Sequence, residues 1–123
     1  MGAARRARAG RKPAAPAPVS RHVEAFLEML AAERGAAALT LIAYKTDLAD
    51  LATALGDTAI EAAATEDLRH YLARLAKARL APRTAARRLS ALRQFYRFLV
   101  LEGVRKDDPT AALDTPRLGR PLP

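Results

Sequence analysis

Apolar residues recur along this chain at steps of three and four, the spacing of helices that bury one face. Four such stretches are separated by glycine, proline and helix-capping residues, which mark helix ends. They predict a first helix over about 20–34, a second that Thr40 caps and Gly56 ends, a third opening at Thr65, and a fourth from about Pro82 to Glu102. No segment alternates apolar and polar residues over the length of a strand. The pattern therefore predicts an all-α bundle.

The two ends of the chain lack this periodicity. Residues 1–18 mix arginine, proline and small residues, which predicts a disordered basic tail. Asp108 and Pro109 are a capping residue followed by a first-turn proline, and they predict a short fifth helix over about 109–113. Residues 115–123 are typical of an extended linker. One helical domain over 19–114 remains, as a length of 123 residues allows.

Composition narrows the range of functions. Cysteine is absent, which excludes disulfides and thiolate zinc sites, and no apolar run approaches the roughly 20 residues of a membrane span. We therefore expect a cytoplasmic protein that does not contact a membrane. The net charge is +8, and nine basic residues with no acid lie between Arg69 and Leu101. Such excess positive charge attracts polyanions, so nucleic acid is the first partner to consider.

The fourth helix carries two sets of residues with the same spacing, offset by about 200° around the helix axis. The first set is apolar and is expected to pack; it comprises Ala85, Leu89, Leu92, Tyr96 and Leu99. The second set is polar and is expected to face outward; it comprises Arg83, Arg87, Ser90, Gln94 and Arg97. Small residues at Ser90 and Ala91 would let the backbone approach a surface closely. This composition suits a DNA major groove, although an ordinary solvated face is the alternative.

Other candidate surfaces give weaker signals. On the second helix, the face opposite the leucines holds Ile42, Thr46, Ala49 and Thr53 beside Lys45. That face suits either a second groove-facing surface or helix packing. Ile42, Phe98 and Leu101 lie off the core stripes and would form a docking patch if the chain were a protein-interaction module.

The sequence gives little indication of a catalytic or metal-binding site. His22 and His70 lie far apart with no ligand at a suitable spacing, so we expect surface histidines and no metal. Asp47 and Asp50 are expected to be solvated or paired with Lys45. Tyr44, Tyr71 and Tyr96 each lie on a leucine-lined stripe, where tyrosine normally serves as core rather than as a nucleophile. No glycine-rich phosphate loop follows a strand, so no nucleotide cofactor is expected.

Specific strings in the sequence resemble a known family. These are TAARRLSALRQFYRFL from Thr84, the later EG and DDPTAAL, the closing PRLGRPLP, and LTLIAYKTDL over 39–48. Together they resemble the Xer tyrosine recombinases over about 20–123, and the closing string is similar to the XerD branch. The resemblance implies an orthogonal four-helix, SAM-like core-binding domain that closes over one side of double-stranded DNA.

The same resemblance implies which residues bind DNA and where catalysis occurs. Carried over by position, the DNA-binding residues are Thr40, Lys45, Arg83, Thr84, Arg87, Ser90, Gln94 and Arg97. Tyr44, Arg88 and Arg93 also match, but they sit on or beside the apolar stripe and suit a structural role equally. The family's catalytic residues would lie in a second domain beginning after Pro123, so this chain is expected to bind without cutting, and to need neither cofactor nor metal.

The resemblance thus implies the DNA clamp of a site-specific recombinase that serves chromosome dimer resolution, chromosome partition or DNA integration. Partner recombinase subunits would join it on DNA, and the isolated domain is expected to be monomeric. Two alternatives stay open: a stand-alone helical DNA-binding accessory, and a protein-interaction module without a catalytic partner.

Overall fold

The computed structural model describes residues 20–113, and it places four α-helices there. These are α1 (Arg21–Arg34), α2 (Ala38–Leu55), α3 (Thr65–Lys77) and α4 (Pro82–Leu101), with a 3₁₀ turn at Ile60–Ala62 between α2 and α3. No strand occurs within 20–113, which confirms the predicted all-α class. The predicted basic tail and linker lie outside the described residues, as do the predicted domain limits at 19 and 114.

Most helix ends follow the predicted signals. Ser20 caps α1 by accepting a hydrogen bond from the His22 amide at 3.0 Å, and Gly35 ends the helix at a φ of +62°. At the start of α3, the Asp67 carboxylate accepts from the Ala64 amide at 2.8 Å. Thr40 was predicted to cap α2, which is wrong. The helix begins at Ala38, because the preceding alanines favour helix and extend it past the threonine.

The predicted fifth helix is a turn. Asp108 Oδ1 accepts from the Thr110 amide at 2.8 Å, so the expected cap is present. The helix does not continue, and the Pro109 carbonyl instead accepts from a side chain of α3, with Thr65 Oγ1 donating to it at 2.8 Å. The Leu113 amide instead donates to the Thr110 carbonyl at 3.1 Å. Leu113 itself is buried.

The core centres on aromatic residues of α1 and α4. The ring of Phe26 contacts the rings of Phe95 and Phe98, with centroids 5.6 and 5.7 Å apart. Burial of Leu89, Leu92, Tyr96 and Leu99 confirms those members of the apolar set, while Ala85 is half-buried. Phe98 is also buried, so its predicted place on a docking patch is wrong. Ala91 is buried as well, so its predicted place on the outward face is wrong. The apolar surface of α4 is wider than one stripe because α4 contacts both α1 and α2.

An arginine after α4 ties the 3₁₀ turn to the core. Arg105 Nη1 donates to the carbonyls of Glu61 and Ala63 at 3.0 and 2.9 Å, and its guanidinium lies 5.5 Å from the centre of the Tyr96 ring. Tyr96 Oη donates to the Ile60 carbonyl at 2.6 Å. Burial raises the pKa of this hydroxyl. Tyr96 is therefore a core residue, as predicted, and its buried hydroxyl has a hydrogen-bond partner.

Arg79, in the turn between α3 and α4, occupies the left-handed region that favours glycine. Its φ is +58°, and no other non-glycine residue within 20–113 has a positive φ. We expect Arg79→Gly to raise the free energy of unfolding by about 0.5–1 kcal/mol, since glycine adopts this conformation without a steric penalty. Urea denaturation measures the change. As a control, Lys77→Gly in the last turn of α3 is expected to lower stability by a similar amount, and a loss of stability in Arg79→Gly would contradict the argument.

Candidate nucleic-acid interface

Polar side chains join α2 to α4 along a line that we call the α2–α4 seam, formed by Asp47, Asp50, Arg87 and Arg88. Arg87 Nε donates to Asp47 Oδ2 at 2.9 Å, and Arg87 Nη2 donates to Oδ1 at 2.7 Å. Asp47 is buried, whereas the Arg87 side chain is 41% exposed. The hydrogen bonds that Arg87 donates to Asp47 raise the pKa of the Arg87 guanidinium. This bidentate pair corrects the prediction that Asp47 is solvated or paired with Lys45.

Arg88 lies deeper in the seam. Its Nη1 donates to Asp50 Oδ2 at 2.6 Å and to Tyr71 Oη at 3.2 Å, and its Nε lies 3.5 Å from Asp47 Oδ1. Tyr71 Oη donates to Asp50 Oδ2 at 2.7 Å, and burial together with this carboxylate raises the pKa of the tyrosine. Asp50 thus binds Arg88 and Tyr71 rather than Lys45. These contacts favour a packing role for Arg88.

Gln94 is committed to contacts within the protein. Its Oε1 accepts from Arg34 Nη1 at 3.1 Å, and its Nε2 donates to Tyr44 Oη and Ser90 Oγ, both at 3.0 Å. Both amide hydrogens are therefore used in this conformation, which leaves none to donate to a base. Tyr44 is half-buried against the core, so its contacts suit the structural role left open from the sequence.

Arg34 also takes part in the hydrogen bonds around Gln94. No sequence pattern predicted this contact. The only sequence signal was a basic residue in the last turn of α1, a position that the helix dipole favours in any helix. Its contact with Gln94 spans 60 residues of sequence. Local spacing carries no information about such a contact, and only the packing of α1 against α4 reveals it.

The remaining predicted DNA-binding residues differ in exposure. Thr40, Lys45, Arg83 and Arg97 are exposed, whereas Thr84, Arg87, Ser90 and Gln94 are partly buried. The polar face of α4 therefore points to solvent at its two ends and borders α2 in the middle. No ion pair is seen for Lys45, Arg83 or Arg97 among the contacts of residues 20–113. Three cations on these two helices are thus available to an external anion.

The second face considered from the sequence, on α2, is solvent-exposed along its length. Ile42, Thr46, Ala49 and Thr53 are all exposed, so this face does not pack within the domain. Ile42 and Leu101 are 60% and 75% exposed, as a docking patch requires, but Phe98, the third residue of that patch, is buried. The three-residue patch considered for a protein-interaction module is therefore not formed as a whole in the described part of the chain.

His22 has a carboxylate partner that the sequence did not indicate. Its Nδ1 lies 2.8 Å from Glu61 Oε2, and the Ser20 hydroxyl donates to the same oxygen. Burial raises the pKa of Glu61, but the hydrogen bonds from Ser20 and His22 outweigh that effect and leave the pKa below its usual value.

Within 20–113, no three histidine, cysteine or acidic residues group as metal ligands. None of the helices described there has the length and apolarity to span a membrane.

The family model described as "Phage integrase, N-terminal SAM-like domain" matches residues 23–103. The chain belongs to this family. It is 54% identical over 104 residues to "Tyrosine recombinase XerD" of Rhizobium meliloti (strain 1021), covering 83% of this chain and 33% of the relative. It is 53% identical over 109 residues to "Tyrosine recombinase XerC" of Erythrobacter litoralis (strain HTCC2594), covering 87% of this chain and 34% of that protein. These matches confirm the resemblance to the Xer tyrosine recombinases.

A further relative in the same group is "Tyrosine recombinase XerD" of Agrobacterium fabrum (strain C58 / ATCC 33970), 54% identical over 103 residues, which are 82% of this chain and 31% of the relative. The chain therefore spans about a third of the length of these recombinases. No solved structure matches it. Membership of the SAM-like family agrees with the four-helix architecture.

Proposed function

We propose that this chain is the DNA-clamping domain of a site-specific tyrosine recombinase of the XerD type, and that it binds duplex DNA through α2 and α4. The observation that carries the proposal is the set of cations on α4. Arg83 and Arg97 are exposed at the two ends of one helix face, with the partly exposed Arg87 between them. Phosphate contacts of this kind supply most of the affinity of proteins for DNA.

The surroundings of these cations support the proposal. Lys45 and Thr40 lie on α2, which packs beside α4, so both helices present polar side chains to solvent. The acidic residues of this region, Asp47 and Asp50, are bound to arginines. This pairing reduces the repulsion that their negative charges would exert on a DNA phosphate. The positive charges of Lys45, Arg83 and Arg97 are therefore not balanced by these two carboxylates. We expect Lys45, Arg83, Arg87 and Arg97 to bind phosphates. Thr84 and Ser90 are expected to lie close to the DNA backbone.

The complete protein is proposed to be an enzyme that cuts and rejoins DNA, because its relatives carry the name tyrosine recombinase and the match covers only about a third of their length. Its catalytic residues would lie in a second domain, connected through the linker predicted at 115–123. Chromosome dimer resolution in the cytoplasm, on DNA shared with partner recombinase subunits, is the proposed role.

The salt dependence of duplex binding tests the proposal. If the domain contacts about five phosphates, log K is expected to fall with log salt concentration at a slope of about −4 to −5. Fluorescence anisotropy with a labelled duplex measures the slope. Arg97→Ala is expected to make the slope shallower by about 0.9, since one phosphate contact is lost.

Arg21→Ala provides the matched control, because it removes the same charge from an exposed position on α1. This variant is expected to retain the slope of the unmodified chain. Absence of binding at low salt, a flat salt dependence, or an equal effect of the two substitutions would each contradict the proposed interface. Light scattering on the free chain checks the expected monomer.

A further inference from the structure

We infer that Asp47 is a positioning residue, whose carboxylate holds the Arg87 guanidinium as an oriented donor for a DNA phosphate. The inference rests on the proposed function and adds a residue that contacts no DNA itself. Its basis is the contrast in burial within one ion pair. Asp47 is buried between the helices, while 41% of the Arg87 side chain reaches solvent.

The geometry leaves one edge of the guanidinium available. Arg87 uses one hydrogen on Nε and one on Nη2 to bind Asp47. A guanidinium has five N–H donors, so both hydrogens on Nη1 and the second on Nη2 remain. In a planar group these point away from the carboxylate. The unused edge therefore matches the bidentate geometry with which arginine binds phosphate.

Fixing the side chain in advance strengthens binding. A free arginine has about 2 kcal/mol of rotamer entropy, part of which is lost when it binds a phosphate. The carboxylate of Asp47 has already restricted Arg87 before DNA arrives. Asp47 is also close to Arg88, whose Nε lies 3.5 Å from Oδ1, so the single negative charge is shared between two guanidinium groups. Arg87 consequently keeps part of its attraction for an anion.

Two effects of Asp47 act in opposite directions, which makes the inference testable. As a negative charge near DNA, Asp47 repels phosphate, so Asp47→Asn would strengthen binding if charge alone mattered. As a positioning group it aids binding, and the same substitution then weakens it. We expect Asp47→Asn to weaken duplex binding about tenfold, comparable to the loss of one hydrogen bond to a charged group. Unchanged or tighter binding overturns the inference.

Asp50→Asn is the matched control, because it makes the same change of charge one helical turn along α2. Asp50 binds Arg88 and Tyr71 and does not contact Arg87. We expect this variant to bind DNA as tightly as the unmodified chain or more tightly. The double variant Asp47→Asn with Arg87→Ala is expected to bind no more weakly than Arg87→Ala alone, because Asp47 acts only through Arg87. Additive losses would overturn the inference.

A measurement on the unmodified chain decides the question even if Asp47→Asn fails to fold. In an NMR spectrum selective for arginine side chains, the Nε–H signal of Arg87 is expected to exchange slowly with water both without and with duplex DNA. Loss of that protection on adding DNA would mean that phosphate pulls Arg87 away from Asp47, and would overturn the inference. If the unmodified chain binds no duplex at low salt, the proposed function fails instead.

Discussion

Leu92→Ala is expected to lower the free energy of unfolding by about 2–5 kcal/mol, because it removes a buried side chain and leaves a cavity. Leu92 is 2% exposed and belongs to the core, to which all four helices contribute buried side chains. Its side chain touches no proposed phosphate contact, so DNA binding by the folded fraction should remain unchanged. Urea denaturation measures the loss of stability, and anisotropy at low temperature measures binding.

Leu39→Ala is the corresponding control. Leu39 is 79% exposed on α2, and substitutions at such positions usually change stability by less than about 0.5 kcal/mol. A Leu92→Ala variant that bound DNA poorly while unfolding like the unmodified chain would show that the apolar stripe of α4 faces DNA. The assignment of the two faces of α4 would then have to be reversed.

Arg87→Ala is expected to affect both binding and stability. Duplex affinity should fall about tenfold with the loss of a charge-assisted contact to phosphate. The free energy of unfolding should fall by about 1–3 kcal/mol, since the buried carboxylate of Asp47 loses both of its hydrogen bonds and keeps only the Nε of Arg88 at 3.5 Å. From periodicity alone, Arg87 was expected to face outward, where substitution costs little stability.

Arg97→Ala separates the two effects. It removes the same charge from the same helix, at an exposed position whose side chain makes no ion pair within the described residues. We expect weaker DNA binding with a change in stability of less than about 0.5 kcal/mol. Equal thermal and urea unfolding of the two variants would show that the pairing of Arg87 with Asp47 contributes nothing to the fold.

Periodicity was sufficient to predict the helices, because each one buries an apolar stripe that its own sequence defines. The leucines of α4 and the capping serine of α1 are examples, since both signals are local. The start of α2 was missed because alanines before Thr40 extend the helix without any capping side chain. The fifth helix was wrong: the segment forms a turn, and its Pro109 carbonyl accepts from Thr65, 44 residues away. A contact between residues so far apart in the sequence cannot be predicted from local sequence patterns.

The candidate site was harder to predict than the fold. Helical spacing identified the polar face of α4 and correctly placed Arg83 and Arg97 in solvent. It gave no indication that Asp47 would bind Arg87, or that Arg34 would bind Gln94, because each pair joins two helices across 40 or more residues. A helical projection distinguishes the two sides of one helix. It does not show which polar residues at the border will meet a neighbouring helix.

The turn after α4 determines where the domain can be truncated without loss of its core contacts. The family match ends at residue 103, yet Leu113 is buried, and its carbonyl accepts from Arg93 Nη2 at 2.9 Å. A stop codon placed after Gly103 would remove Arg105, which holds the 3₁₀ turn, and would uncover the apolar surface beneath Leu113. Expression vectors for this clamp should therefore retain the ten codons that follow the family boundary.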